Sequence, residues 1–266
     1  MTLAAGEVWV VVEGERNRAL LWELDARSGK RLASYTIGKT GPDFGAVAAR
    51  RQVVYAAAGE HVMRVDLAHP SQAARAALPG DAAAMTAGSG SVWVATIGRR
   101  DAVTRFAASP LAARTRIPLT FQPVALQTAL GSVWLASTAG LWRIEGKRLF
   151  PAPVAMALPA GLATANARLW LLQQDDQIAS VDPSGRVRAR IRLPFSPGSF
   201  AVSGRRIWVT DNCGCATGRL ALLDLASGRR TTIRLGRTPV AVAAASETAW
   251  VASFGDRTLW RVSERG

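Results

Sequence analysis

Histidine and cysteine are scarce in this sequence, and their scarcity argues against several kinds of catalytic site. The 266 residues include two histidines, His61 and His69, and two cysteines. Two histidines from one part of the chain cannot supply a metal site built from several repeats, and two thiols are too few for a four-ligand structural zinc site. The sequence also has no Gly-x-Ser-x-Gly elbow, no phosphate-binding Gly-x-x-x-x-Gly-Lys-Ser/Thr loop and no His-Glu-x-x-His pair. We therefore assign no catalytic residue from the sequence.

Long apolar runs are also missing. No stretch of about eighteen apolar residues occurs, and residues 1–12 lack the basic region, apolar core and cleavage site of a signal peptide. We predict that this chain contains neither a transmembrane segment nor a signal peptide. With 49% hydrophobic and 20% charged residues, its composition is typical of a globular domain with a large core.

Acidic residues are outnumbered, which gives a formal net charge of +14. A basic surface that binds nucleic acid needs clustered cations that release counterions from phosphates. Here the basic residues are dispersed over the whole length, so we interpret them as a solvated surface and expect no specific nucleic-acid partner. One continuous arginine face with steeply salt-dependent binding would favour the alternative, a nucleic-acid scaffold.

A short element recurs along the chain: small or polar residues, then an apolar residue and an aromatic one. The aromatic positions are Trp9, Tyr55, Trp93, Trp134, Trp170, Trp208 and Trp250. They are 36 to 46 residues apart, and a period near forty is that of a four-stranded propeller blade. We predict that each aromatic ring packs between neighbouring blades, with an aromatic ligand cage as the alternative.

The sixth copy shows four strand-like runs, at residues 200–203, 207–210, 220–224 and 231–235. Asp25, Asp182 and Asp224 begin turns that contain Ser-Gly, and we predict that these aspartates are structural. The predicted fold is therefore an all-β, seven-bladed β-propeller of four-stranded antiparallel blades, a single domain spanning residues 1–266. The approximate blade boundaries are 1–38, 39–79, 80–119, 120–154, 155–194, 195–235 and 236–266.

The two terminal blades are incomplete in the sequence. The first begins at Leu3, six residues before Trp9, and the last stops after its third strand at Val262. We expect that a ring-closing strand is missing or supplied from elsewhere, and that the chain is part of a longer protein.

The segment 239–262, with its Pro-Val-Ala-Val-Ala, Ala-Trp-Val-Ala-Ser and Thr-Leu-Trp-Arg-Val runs, resembles bacterial propellers of the YVTN and NHL-like family, including those similar to virginiamycin B lyase. The resemblance extends over all seven repeats. It implies an extracytoplasmic or cell-surface binding or sensor domain. The lyase branch uses paired histidines and glutamates around a metal, and none of those residues can be assigned here.

Propeller ligands usually meet the face formed by the loops between second and third strands and by the links between blades. We predict a ligand-binding surface there, with a solvated rim as the alternative. Its candidate residues are Arg99, Asp175, Asp176, Asp211, Asn212, Asp256 and Arg257. The mixed charges could bind a polar ligand or a divalent cation.

The loop from Thr210 to Gly218 departs from the repeat and holds both cysteines. A disulfide between Cys213 and Cys215 would stiffen it, although so small a ring is strained. Free thiols, or metal or redox chemistry, are the alternatives.

Two functions follow from these observations. The first is a non-enzymatic binding or sensor propeller that presents its loop face to a protein, a peptide or a polar small molecule. The alternative is a lactonase-like hydrolase or lyase with a divalent cation, which requires at least three oxygen ligands from different blades to converge.

Overall fold

The computed structural model describes residues 1–41, 45–88, 90–154, 158–211, 214 and 216–263. These residues form 27 strands and two 3₁₀ helices of three residues, Glu15–Asn17 and Pro70–Gln72. Within these ranges, no helix is long and apolar enough to cross a membrane. The chain divides into two compact units, which are Met1–Thr128 with Ser132–Phe150, and Ala129–Gly131 with Pro151–Gly266.

The first unit contains four antiparallel sheets, apart from the ends of two strands that fall in the other unit. Sheet 1 consists of β1 (Thr2–Ala4), β2 (Glu7–Gly14), β3 (Arg18–Asp25) and β4 (Arg31–Lys39). Sheet 2 consists of β5 (Ala46–Arg50), β6 (Val53–Ala58), β7 (His61–Asp66) and β8 (Ala74–Ala77). Sheet 3 consists of β9 (Asp81–Gly88), β10 (Ser91–Ile97), β11 (Ala102–Ala108) and β12 (Leu111–Pro118). Sheet 4 consists of β13 (Pro123–Ala129), β14 (Ser132–Ser137), β15 (Gly140–Glu145) and β16 (Arg148–Pro151).

The second unit contains three antiparallel sheets. Sheet 5 consists of β17 (Pro159–Ala165), β18 (Arg168–Gln173), β19 (Gln177–Val181) and β20 (Val187–Arg192). Sheet 6 consists of β21 (Pro197–Ser203), β22 (Arg206–Asp211), β23 (Gly218–Asp224) and β24 (Arg230–Leu235). Sheet 7 consists of β25 (Pro239–Ala245), β26 (Thr248–Ser253) and β27 (Thr258–Ser263).

In every sheet, strands that are consecutive in the chain are neighbours. This confirms the predicted fold class, an all-β propeller of seven antiparallel blades. Two departures from four full strands occur where the sequence predicts them. Strand β1 has only three residues, and among the described residues sheet 7 has three strands. The single-domain organisation stays a prediction.

The aromatic residues of the second strands are buried, and five of them pack against the following sheet. Trp208 of β22 shares an apolar cluster with Val242 and Val251 of sheet 7, and Trp170 of β18 shares one with Ile207 and Val209 of sheet 6. The same arrangement places Trp9, Tyr55 and Trp93 against sheets 2, 3 and 4. An indole or phenol ring fills the gap between two sheets, neither of which could bury its face alone. The predicted packing between blades is thereby confirmed for these five rings.

Turn aspartates close the hairpins between third and fourth strands. Asp25 Oδ1 accepts the backbone N–H groups of Arg27 and Ser28, and Asp224 Oδ1 accepts those of Ala226 and Ser227. Asp182 Oδ1 accepts hydrogen bonds in the same way. These carboxylates satisfy turn amides, so their predicted structural role is confirmed.

Candidate functional site

The loop face of each sheet, as we use the term, is the end that carries the loop between the second and third strands and the link to the next sheet. In sheets 6 and 7 three such segments contribute to one feature: Gly214 and Ala216 after β22, the link 236–238 and the loop 254–257. Between them lies an open hollow of about 280 Å³, lined by Gly214, Ala216, Arg237, Thr238 and Gly255. All five belong to the second unit. We call this feature the unit-2 hollow.

Backbone hydrogen bonds hold the link and the loop of sheet 7 together beside the hollow. The amides of Phe254 and Gly255 donate to the carbonyls of Thr238 and Arg237, at 2.9 and 3.1 Å. The guanidinium of Arg237 donates in return to the Gly255 carbonyl at 2.8 Å. Since each of the two segments donates hydrogen bonds to the other, the backbone of this wall of the hollow is fixed.

Asp256 fastens the other side of this junction. Its Oδ2 accepts the backbone N–H of Arg237 at 3.1 Å, and its Oδ1 accepts the Thr258 hydroxyl at 2.7 Å. The Thr258 hydroxyl holds the pKa of Asp256 below its ordinary value, and the Arg237 amide adds to this effect. Asp256 therefore stays ionised as a structural clasp, with both carboxylate oxygens already accepting hydrogen bonds.

Two glycines permit this close approach. A β-carbon on Gly236 would collide with the carboxylate of Asp256, and one on Gly255 would lie 2.8 Å from the β-carbon of Arg237. Thr238, between them in the link, has φ of 52°. This left-handed conformation is a genuine outlier for a β-branched residue and costs on the order of 1–3 kcal/mol. Strain of that size persists only where the surrounding hydrogen bonds fix the backbone.

The residues that adjoin the hollow in the chain are aromatic and basic. Phe254 is 55% exposed, although it is a large apolar side chain. Arg237 and Arg257 are also exposed, and Arg257 adopts φ of 55°. An exposed aromatic residue in the same loop region as two exposed arginines suits a partner that brings an apolar or aromatic side chain together with carboxylates. Sequence reasoning placed Arg237, Asp256 and Arg257 on the loop face but missed Phe254 and Thr238.

Asp211 does not present a free carboxylate at the loop face. It ends β22 with 1% of its surface exposed. Its Oδ1 accepts the backbone N–H of Arg219 at 3.0 Å and its Oδ2 pairs with Nε of Arg219 at 2.9 Å. The guanidinium also lies 4.9 Å over the ring of Phe195. Asp211 therefore stabilises the start of β23, which is a structural role that the sequence prediction did not foresee.

The remaining candidates are separate side chains. Asp175 is exposed, and its Oδ2 accepts a hydrogen bond from Gln177 at 3.1 Å. Asp176 has φ of 60°, and its carbonyl accepts the Leu193 amide at 2.7 Å. Arg99 is exposed in the loop of sheet 3, in the other unit. Asn212 and the proposed disulfide between Cys213 and Cys215 lie outside the described residues.

Five successive second strands have a buried polar side chain at or next to their end, three residues after the aromatic position. These residues are Thr96, Ser137, Gln173, Asp211 and Ser253. Ser137 illustrates how such a side chain supports the loop, since its hydroxyl donates to the Gly140 carbonyl and accepts the amide of Ala139. Sequence reasoning missed this series. Its signal is a second strand whose apolar run stops at a polar residue just before the loop.

Gln173 and Ser253 are exceptions in this series, because the Ser253 hydroxyl also has no hydrogen-bond partner within the described residues. Gln173 carries the larger polar group. It is fully buried, and neither amide atom has a hydrogen-bond partner within the described part of the chain. An unsatisfied buried amide costs about 1–3 kcal/mol. This expected loss of stability makes Gln173 a useful position for mutation.

No group of three or more histidine, cysteine, aspartate or glutamate residues in the described ranges could hold a metal ion. The convergence of oxygen ligands that a cation-dependent hydrolase requires is therefore not found in that part of the chain.

The chain matches no protein-family model and no curated protein sequence. Many solved structures share its fold. The β-propeller domain of Cps50 (Swd1) from Myceliophteria thermophila superposes with a TM-score of 0.76 at 10% identity, covering 99% of this chain and 98% of that one. The WD40 domain of Neurospora crassa Pan2 gives 0.73 at 13% identity, with 98% and 86% covered. Apo AztD from Citrobacter koseri gives 0.58 at 12% identity, with 97% and 92% covered.

These likenesses show the fold alone. At such low identity they carry no site residues from one protein to the other. The particular resemblance to YVTN and NHL-like propellers stays a prediction.

Proposed function

We propose that this chain is a non-enzymatic propeller that binds a protein or peptide at the unit-2 hollow. The observation that carries the proposal is Phe254, which is 55% exposed and directly precedes Gly255 of the hollow, in a segment whose backbone is fixed by reciprocal hydrogen bonds to residues 237–238. Exposed aromatic side chains on rigid backbone are frequent anchors of protein interfaces. The WD40-type structures among its neighbours support the same class of function by analogy of fold.

The shape of the hollow favours a polypeptide over an enclosed small molecule. It is open, and two glycines, an alanine, a threonine and an arginine line it. Small-molecule sites generally surround most of their ligand. An extended peptide could place one apolar side chain on Phe254 and a carboxylate near Arg237 or Arg257.

Selection of peptides from a randomised library displayed on phage tests this proposal. The synthesised consensus peptide is then titrated against the parent chain, Phe254→Ala and Leu158→Ala by calorimetry. Leu158 is a matched control because it is also an exposed apolar residue of the second unit. Removing an anchor of this kind typically costs more than about 1.4 kcal/mol, so we expect at least tenfold weaker binding to Phe254→Ala.

Equal binding to both variants would refute the assignment of the hollow, as would a selection that yields no specific peptide. Turnover of a lactone or ester substrate that disappears in Asp175→Asn would refute the non-enzymatic character and favour the hydrolase.

The proposal extends to location. An extracytoplasmic or cell-surface position rests on the resemblance to YVTN and NHL-like propellers. Its test is protease digestion of host cells. A protein at the cell surface should be degraded in intact cells, and an extracytoplasmic protein behind the outer barrier should be degraded once that barrier is opened.

A further inference from the structure

We propose that Arg219 and Arg234 of sheet 6 form a binding site for a phosphate group, which is either free or carried on a peptide. Arg219 is near the start of β23 and Arg234 is near the end of β24, so both belong to the loop-face end of the sheet. The site shares no lining residue with the unit-2 hollow, and the inference does not rest on the proposed function.

The two arginines face each other across neighbouring strands. Arg219 and Arg234 are directly opposite in the register of β23 and β24, which places their β-carbons about 5 Å apart on one face of the sheet. Both residues are exposed. Like charges directly opposite each other destabilise a sheet, so an anion bound between them would remove an unfavourable interaction.

A buried carboxylate fixes one of the two guanidinium groups. Asp211, with 1% of its surface exposed, accepts the backbone N–H of Arg219 at 3.0 Å and pairs with its Nε at 2.9 Å. The guanidinium also lies 4.9 Å over the buried ring of Phe195. The contacts given by the described residues leave its two terminal NH₂ groups available to a ligand. A donor that is already held in place loses less conformational entropy on binding.

The positive charge of the pair is compensated only in part. Asp211 balances Arg219, whereas no ion pair or hydrogen bond joins the Arg234 side chain to a described residue. Thr232 is also exposed, and it lies on the same face of β24 because alternate residues of a strand point the same way. This face of sheet 6 therefore offers one fixed guanidinium, one uncompensated guanidinium and a hydroxyl.

Other sheets lack this combination. The corresponding third-strand residue lies three positions before the one opposite the aromatic position, and its fourth-strand partner is known in four further sheets. None of those pairs combines two cations: they are Leu20 with Thr36, His61 with Ala77, Ala102 with Pro118, and Gln177 with Arg192. Arg18 and Lys39 do face each other at the end of sheet 1, but no carboxylate of a described residue holds either of them. Among these registers, sheet 6 alone joins a facing pair of cations to a fixed guanidinium.

These groups suit phosphate better than a carboxylate. A guanidinium presents parallel N–H donors in a planar fork that matches two oxygens of a phosphate. Two such forks on neighbouring strands reach a ligand from different sides, and a tetrahedral phosphate has oxygens in several directions. The two oxygens of a carboxylate lie in one plane and are used up by a single fork.

The test follows the Nε–H signals of Arg219 and Arg234 by nitrogen-15 NMR during three titrations of the chain. The probes are inorganic phosphate, the blocked peptide Ala-Ala-phosphoserine-Ala-Ala, and acetate. Sodium chloride keeps the ionic strength constant, because salt screens exposed charges. We expect phosphate or the phosphopeptide to shift both signals saturably with one dissociation constant, and acetate to shift them much less. The tighter of the two phosphate probes identifies the source of the group, and equal affinities mean that the phosphate alone is recognised.

Substitutions then test the role of the second guanidinium, with Arg219 as the reporter. Arg234→Gln should weaken phosphate binding at least about fivefold, because it removes charge-assisted hydrogen bonds. Arg234→Lys keeps the charge without the planar fork and should bind with intermediate affinity. The matched control is Arg192→Gln, which removes an exposed arginine from the corresponding place of β20 and should leave the affinity unchanged.

The proposal would be overturned if neither phosphate probe shifted the two signals saturably, or if acetate shifted them equally. Equal weakening by Arg234→Gln and Arg192→Gln would also overturn it, since the effect would then come from the overall charge. None of these readouts depends on Phe254 or Arg237, so failure here is distinguishable from failure of the hollow.

Discussion

Replacing Trp208 with alanine should destabilise the second unit far more than replacing Trp260. Trp208 has no exposed surface and packs among Val242, Val251 and Val262 of sheet 7. A buried indole removes about 150–250 Å² from water, which at about 25 cal/mol per Å² corresponds to roughly 4–6 kcal/mol. Its Nε1 has no hydrogen-bond partner within the described residues, which offsets about 1–3 kcal/mol of that gain. The expected net loss for Trp208→Ala is about 3 kcal/mol.

The assay is urea unfolding followed by far-ultraviolet circular dichroism, because the substitutions themselves alter tryptophan fluorescence. Trp260→Ala is the matched control, since it removes the same ring from a 39% exposed position, and we expect a loss below about 1 kcal/mol. Trp208→Phe should lose less than Trp208→Ala, because it keeps an aromatic ring and removes the unpaired N–H. A loss below about 1 kcal/mol for Trp208→Ala, or equal losses at the two positions, would refute the packing argument.

Three further predictions concern polar groups. Gln173→Met should raise the free energy of unfolding, measured by urea titration, by about 1–2 kcal/mol, because it removes a buried amide without hydrogen-bond partners. A decrease in the free energy of unfolding would show that the amide does have hydrogen-bond partners. The pKa values of Asp25, Asp182 and Asp224 lie below the ordinary value in the folded chain, chiefly because turn hydroxyl and amide groups donate to them. The stabilisation by these carboxylates is therefore fully present above about pH 4 and is lost as the pH falls through the lowered pKa values. The urea concentration at the unfolding midpoint should decrease when the pH is lowered below about 4, and it should decrease less in the variant with asparagine at all three positions. Parallel profiles of the two proteins would contradict this prediction. Gly236→Ala should displace the Asp256 carboxylate and thereby speed hydrogen exchange of the Arg237 amide. Gly214→Ala is the control, because a β-carbon at Gly214 meets no atom within 4 Å, and it should leave this exchange rate unchanged. Equal exchange rates of the Arg237 amide in the two variants would count against the role of Asp256 as a clasp.

The fold could be predicted because its determinants are local and repeated. One aromatic residue per forty residues marks the second strand of each blade, and the Asp turn before Ser-Gly marks the hairpin that follows. Both patterns depend on contacts within one repeat or with the next one, so a single sequence displays the aromatic pattern seven times. The short β1 and the three-stranded sheet 7 were predicted from the same alignment of repeats.

The candidate site was predicted less well, because its residues depend on contacts between segments distant in the sequence. Asp211 was expected at the surface, but only the structure shows that Arg219 takes up its carboxylate. Phe254 was not nominated, because nothing in the sequence says that its side chain is exposed.

Fluorine NMR of the chain labelled with 5-fluorotryptophan tests the central claim most directly, that one ring per repeat is enclosed between sheets. The nine tryptophans should give nine signals, assigned by single substitutions, in the presence of a soluble paramagnetic agent. Only Trp260 should be strongly broadened, Trp22 and Trp142 partly, and the six tryptophans of the second strands scarcely at all. Strong broadening of several second-strand signals would contradict the account.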